Sequence, residues 1–141
     1  MLAGHLNFGI PDVDLPLRGG GTVNPSCFAG HQLVVLFLPA DATQRAEEFE
    51  SYDGLSNELS HTDAWFVVVA SEPFSRPHAK TRIASDPGDK AWRMFKEVAG
   101  DATLDRQSGA AFFFTRGGAF HRVWAGPGHA REVADELQAR A

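Results

Sequence analysis

The chain has 141 residues, 43% of them hydrophobic and 22% charged, and its 13 Lys and Arg against 18 Asp and Glu leave a net charge of −5 at pH 7. This is the make-up of one acidic, soluble domain over residues 1–141, long enough to bury roughly two-thirds of the surface of its unfolded form without disulfides or a structural metal. A single cysteine, Cys27, excludes an intrachain disulfide, a CxxC pair and a Cys-rich zinc site, so any thiol chemistry runs through that one residue.

No apolar run approaches the ~18–20 residues of a membrane helix, and the first residues lack the basic and apolar regions of a signal peptide; a cytoplasmic location is expected. The basic residues are scattered and outnumbered by acids, so neither nucleic acid nor an anionic membrane is an expected partner.

Residues 1–30 are rich in Gly and Pro, and the run Gly19-Gly20-Gly21 suits a hairpin turn with short strands on either side. Leu33–Leu38 is continuously apolar, the pattern of a central strand covered on both faces, and Pro39 ends it. From about Thr43 to Leu59, Phe49, Tyr52, Leu55 and Leu59 recur at helical spacing, with Glu47 and Glu48 in the first turn to complement the dipole. Ala64–Ala70 is a second buried strand, and strand–helix–strand order predicts a parallel, right-handed crossover. Residues 71–87, with three prolines, read as mostly loop.

A helix is expected over Asp89–Val98 with Ala91, Met94, Phe95 and Val98 on its inner face and Gly100 as its stop, leaving Trp92 off the stripe as a candidate contact surface. Ala110–Phe114 and Phe120–Trp124 read as strands joined by a turn at Arg116–Ala119, with His121 and Arg122 on the exposed face. The last helix covers about His129–Arg140. The fold class is α/β, a mixed sheet flanked by helices with an N-terminal β-hairpin.

Several motifs, in this order, resemble the peroxiredoxins, thiol peroxidases of the thioredoxin-like fold. They are Ile10-Pro11-Asp12-Val13-Asp14-Leu15, Thr22-Val23 through Gly30, Leu36-Phe37-Leu38-Pro39 through Thr43, Ser85-Asp86-Pro87 with Ala91–Phe95, and Phe112–Trp124. The resemblance implies a peroxidase pocket around Pro39 and Thr43. It also places the peroxidatic cysteine at residue 46, which is Ala46, and the second arginine at Gly109, with Arg106 three residues earlier as a substitute. The family's activity therefore lacks its nucleophile here.

Two readings follow. In the first, the protein is a peroxidase-inactive redoxin that binds a small anion or carboxylate in a vestigial pocket of Pro39, Thr43, Arg45, Ala46 and Arg106. Thr43 and the N–H groups of residues 44–46 would cradle the anion, or Thr43 would simply cap the helix. In the second, a thiol-dependent oxidoreductase has moved its nucleophile to Cys27 in the turn after Asn24-Pro25-Ser26. The resemblance also implies a homodimer as a partner state. No cofactor is implied, and His5, His31, His61, His78, His121 and His129 form no HxH, HxxxH or HExxH metal motif.

Overall fold

A computed structural model describes residues 9–71 and 81–141; His5 and His78 and most of the Pro-rich segment after Ser71 lie outside them. The elements are β1 (Leu15–Pro16), β2 (Thr22–Val23), a 3-10 turn (Pro25–Phe28), β3 (Gln32–Phe37), α1 (Ala42–Glu58), β4 (Ala64–Ala70), β5 (Ile83–Ser85), α2 (Lys90–Ala99), β6 (Ala110–Phe114), β7 (Phe120–Ala125) and α3 (Ala130–Ala139).

Five strands form one mixed sheet in the order β5-β4-β3-β6-β7, and β1 and β2 form the expected hairpin beside it. β3 is central, parallel to β4 and antiparallel to β6. All six of its residues are buried, which is why its sequence shows no alternation: both faces are covered. On one face Val34, Leu36 and Phe113 pack against α1 and α3 through Phe49, Tyr52, Leu55, Val133 and Leu137. On the other, Val35, Phe37 and Phe112 pack against α2 and the hairpin through Trp92, Phe95 and Leu15. The three-phenylalanine run of β6 feeds both layers, as its alternation requires.

Three local expectations change. β5 is a short third parallel strand inside the segment read as loop, paired with β4 from Val68↔Ile83 to Ala70↔Ser85; three residues are too few to show a period. Trp92 is buried, 5% exposed, so it offers no contact surface; its ring meets Phe37 edge-on with centroids 5.2 Å apart. Asp86 explains this: it accepts from Ala91 N–H at 2.8 Å and Trp92 N–H at 2.9 Å, fixing the start of α2 so that Trp92 faces inward.

The third change concerns Glu48. It is not a solvated first-turn acid but a buried one, 6% exposed, and it accepts from Gly128 N–H at 2.8 Å. Burial pushes its carboxyl above the ordinary value, against the Gly128 bond and the nearby His129. The bond ties α1 to the loop that leads into α3.

Candidate functional site

The end of β3 and the start of α1 form a loop held from both sides. Arg106 Nη1 donates to the Leu38 carbonyl oxygen at 2.7 Å, and Arg45 Nη1 donates to the Ala40 carbonyl oxygen at 2.8 Å. Ala40 N–H donates to the Gln107 carbonyl oxygen at 2.9 Å. The two carbonyl groups flanking the buried Pro39 are thus each gripped by an arginine, one from α1 and one from the approach to β6. A proline cannot donate to a ladder, so a loop that leaves the sheet here needs other anchors.

Gly109 approaches the same loop. Its φ is +77°, and a Cβ built on it would lie 2.4 Å from the Phe37 carbonyl oxygen and 3.0 Å from Pro39 N. No side chain fits there, so the position at which the sequence resemblance expects an arginine is closed to one. Arg106, three residues earlier, reaches the same loop through its bond to the Leu38 carbonyl oxygen. Its guanidinium lies over the Phe37 ring at 5.4 Å and the Trp92 ring at 5.8 Å. Its Nε and Nη2 are buried and, among the described residues, without a hydrogen-bond partner. Burial holds this guanidinium below its ordinary pKa, opposed by the charges of Asp89 and Asp86.

The helix start is already capped. Asp41, not Thr43, is the cap residue of α1: its Oδ1 accepts from Gln44 N–H at 2.9 Å, and its carbonyl oxygen accepts from Arg45 N–H at 2.8 Å. Of the N–H groups expected to cradle an anion, that of Gln44 is therefore taken by the chain's own carboxylate and that of Arg45 by the Asp41 carbonyl oxygen. Thr43 is exposed in the first turn, and its hydroxyl makes no hydrogen bond recorded among the described residues. Ala46 is half-buried one turn further on.

A cavity of about 440 Å³ opens beside this loop, at the C-terminal ends of the three parallel strands. Ala40, Ser71, Ser85, Asp86, Arg106 and Gln107 are among its walls, and Thr43, Arg45 and Ala46 are not among its described lining. The ends of parallel strands are where α/β proteins hold ligands, because the diverging connections leave a crevice there. Of the residues read as one pocket, the structure gathers Pro39, Arg45 and Arg106 around the loop, places only Arg106 on the cavity, and leaves Thr43 outside. Asp86 was not foreseen as a wall; its place in the Ser85-Asp86-Pro87 motif was the available signal.

Cys27 lies elsewhere. It is exposed in the 3-10 turn Pro25–Phe28, whose cap Asn24 accepts from Ser26 N–H at 3.0 Å. That turn precedes β3, whereas Pro39 and Ala46 follow it. The length of β3, about 20 Å at roughly 3.3 Å per residue, separates the thiol from the loop. Among the described residues no hydrogen bond or ion pair reaches the thiol, and no group of three His, Cys, Asp or Glu side chains is placed to hold a metal ion.

This layering, the central parallel pair and the strand order define a thioredoxin-like fold of the peroxiredoxin type. No family model matches the sequence, and no curated protein does. Solved structures do share the fold. Xanthomonas campestris peroxiredoxin Q matches with a TM-score of 0.74 and 21% identity over 99% of this chain and 96% of that one. Mycobacterium tuberculosis peroxidoxin BcpB matches with a TM-score of 0.75 and 17% identity, over 94% of this chain and 96% of that one. A Chlorobium tepidum protein described as a putative thiol:disulfide interchange protein DsbE matches at 0.71 and 18% identity, over 94% and 93%.

Proposed function

We propose that this protein is a redoxin-fold binding module without peroxidase activity, which takes a small carboxylate or comparable anion at the C-terminal ends of its parallel strands. The observation that carries the reading is the separation of its one thiol from the reactive position of the fold. Cys27 lies in the turn before β3 and Ala46 in the helix after it, and a methyl group has no nucleophilic chemistry. Arg106 is the one base in a described lining that also holds the acids Asp86 and Asp89, and its buried Nε and Nη2, without a partner among the described residues, form the edge of the guanidinium that matches two carboxylate oxygens. Asp86, which also accepts from two N–H groups of α2, and Asp89 favour the charged form of this guanidinium. One cysteine and no disulfide agree with a reducing, cytoplasmic setting.

The exposure of Cys27 supports a second reading, a thiol-dependent oxidoreductase with a relocated nucleophile. One assay separates the two: peroxide consumption in the presence of dithiothreitol or thioredoxin, for wild type and Cys27→Ser. No turnover in either protein is expected, together with a rise in melting temperature on adding acetate or succinate that Arg106→Gln abolishes. Turnover lost in Cys27→Ser would replace the binding module with the enzyme.

A further inference from the structure

Among the described residues, Trp65 is the one large apolar side chain standing well out in solvent, 47% exposed. It borders a cavity of about 580 Å³ that shares no residue with the loop site. The cavity exists because β5 is shorter than its neighbour. β5 pairs with β4 only from Val68 to Ala70, so Ala64–Val67 has β3 on one side and no described strand on the other. That open step is about 13 Å of strand edge at roughly 3.3 Å per residue.

The chain just before β5 holds the step open. Thr81 N–H turns towards α1 and donates to Asp53 Oδ1 at 2.9 Å, while Arg82 Nη2 turns the other way to the Gly20 carbonyl oxygen in the hairpin turn, at 2.8 Å. The hairpin is itself fastened to the outer side of β5 through the Leu17–Ala84 bridge and Arg18 N–H to the Ile83 carbonyl oxygen at 2.9 Å. Leu17 and Val23 of the hairpin, Phe28 of the 3-10 turn, and Trp65 and Phe66 of β4 give the notch apolar walls.

We infer that this notch is a binding site for a small planar aromatic carboxylate. Its volume lies in the range of small-molecule sites, roughly 300–1,000 Å³. The indole of Trp65 is braced by Phe28, 5.5 Å away and tilted by 31°, and by the edge of His31 at 5.6 Å. A braced, exposed ring is a stacking platform that loses little freedom when a second planar ring lies on it.

Charge selects the acidic group. Among the described residues the lining has one acid and one base, Asp63 and Arg82. Asp63 is matched already: its Oδ1 lies 2.6 Å from His31 Nδ1 and its Oδ2 3.4 Å from Arg116 Nε. Arg82 has no acidic partner among the described residues, and its one recorded hydrogen bond, from Nη2 to Gly20, leaves further donors for a carboxylate. The stretch of β4 edge beside which no described strand lies supplies backbone groups for any further polar atom on the ligand.

The test is a titration of the full chain with 2-naphthoate, followed by tryptophan fluorescence and calorimetry. Trp92 and Trp124 are 5% and 3% exposed, so an accessible tryptophan signal reports Trp65. Saturable one-to-one binding that quenches this signal is expected, with weaker binding of the uncharged 2-naphthalenemethanol and of the non-planar cyclohexanecarboxylate. Arg82→Gln should weaken naphthoate about tenfold and leave the alcohol unchanged. Trp65→Leu should remove the quench and weaken both aromatic compounds; should it fail to fold, Arg82→Gln at an exposed position decides alone. Naphthoate binding unchanged in Arg82→Gln, equal binding of the alcohol, or no saturation in the millimolar range would overturn the proposal. So would an extended peptide that perturbs Trp65 where naphthoate does not, which would assign the notch to strand addition.

Discussion

Arg106 and Leu38, 68 positions apart in the chain, are joined by a 2.7 Å hydrogen bond from the guanidinium to the carbonyl oxygen. The bond lands where the central strand ends, and the cation that makes it rests on Phe37 and Trp92. One side chain therefore binds the loop, the sheet and α2 to one another.

Replacing Arg106 by Met should cost about 1–3 kcal/mol, because it leaves the Leu38 carbonyl group unpaired and removes a charge-assisted bond while keeping much of the packing volume. Arg106→Lys should fall between the two, since an ammonium cannot both reach the carbonyl and lie flat on the rings. Urea unfolding of the three proteins measures this. A loss within 0.5 kcal/mol for Met, the ordinary size for an uninvolved surface site, would show that the bond does not hold the loop.

Gly109→Ala and Gly100→Ala should differ sharply although both glycines have positive φ, +77° and +67°. At Gly100 a Cβ meets nothing within 4 Å, so only the left-handed backbone is strained, at about 1–2 kcal/mol. At Gly109 the Cβ adds a backbone clash at 2.4 Å, and overpacking raises the total by about 1–3 kcal/mol more. Comparable melting temperatures for the two variants would contradict the close approach.

Glu48 makes a pH prediction of definite sign. Its carboxyl is raised above 4.5 by burial, so the folded state binds a proton more readily than the unfolded one. Stability from this group is complete below pH 4.5 and is lost as pH rises through the folded value. Glu48→Gln removes that loss, while its side-chain carbonyl can still accept from Gly128. Denaturation from pH 4 to 8 should therefore show Glu48→Gln gaining on wild type as pH rises. Asp63, whose carboxyl the His31 hydrogen bond holds below 3.8, has the opposite sign: its contribution is lost on acidification. With the denaturation series extended below pH 4, Asp63→Asn should flatten the acid side of the profile and leave the change above pH 4.5 intact.

Ala46→Cys should not restore peroxide reduction. The first turn of α1 is already capped by Asp41, Arg45 and Arg106 each spend one donor on a carbonyl oxygen of the loop, and Gly109 has no room for an arginine. The new thiol therefore lacks a free N–H donor at the helix start and an arginine at position 109, two supports that would lower its pKa. Its rate with hydrogen peroxide should match that of free cysteine; a clearly faster reaction would show that the loop rearranges.

The sequence alone determined the layered fold. Continuous apolar runs at Leu33–Leu38, Ala64–Ala70 and Ala110–Phe114, and the stripe Phe49, Tyr52, Leu55, Leu59, are local patterns whose period reports burial directly. It also determined that residue 46 carries no thiol. Its errors were of a different kind. Thr43 and Asp41 are both good caps, and which one ends the helix depends on where β3 releases the chain. Trp92 lies one residue off the predicted stripe, and Asp86, fixing the start of α2, turned it inward.

Tertiary structure decided the rest, because each remaining feature depends on groups far apart in sequence. The Gly109 backbone excludes a side chain only because Phe37 and Pro39 pass within contact distance, and Arg106 reaches the loop only across the sheet. The one cysteine bounded the thiol chemistry from composition, and the order of elements decided that it lies in the turn before β3 while residue 46 lies in the helix after it.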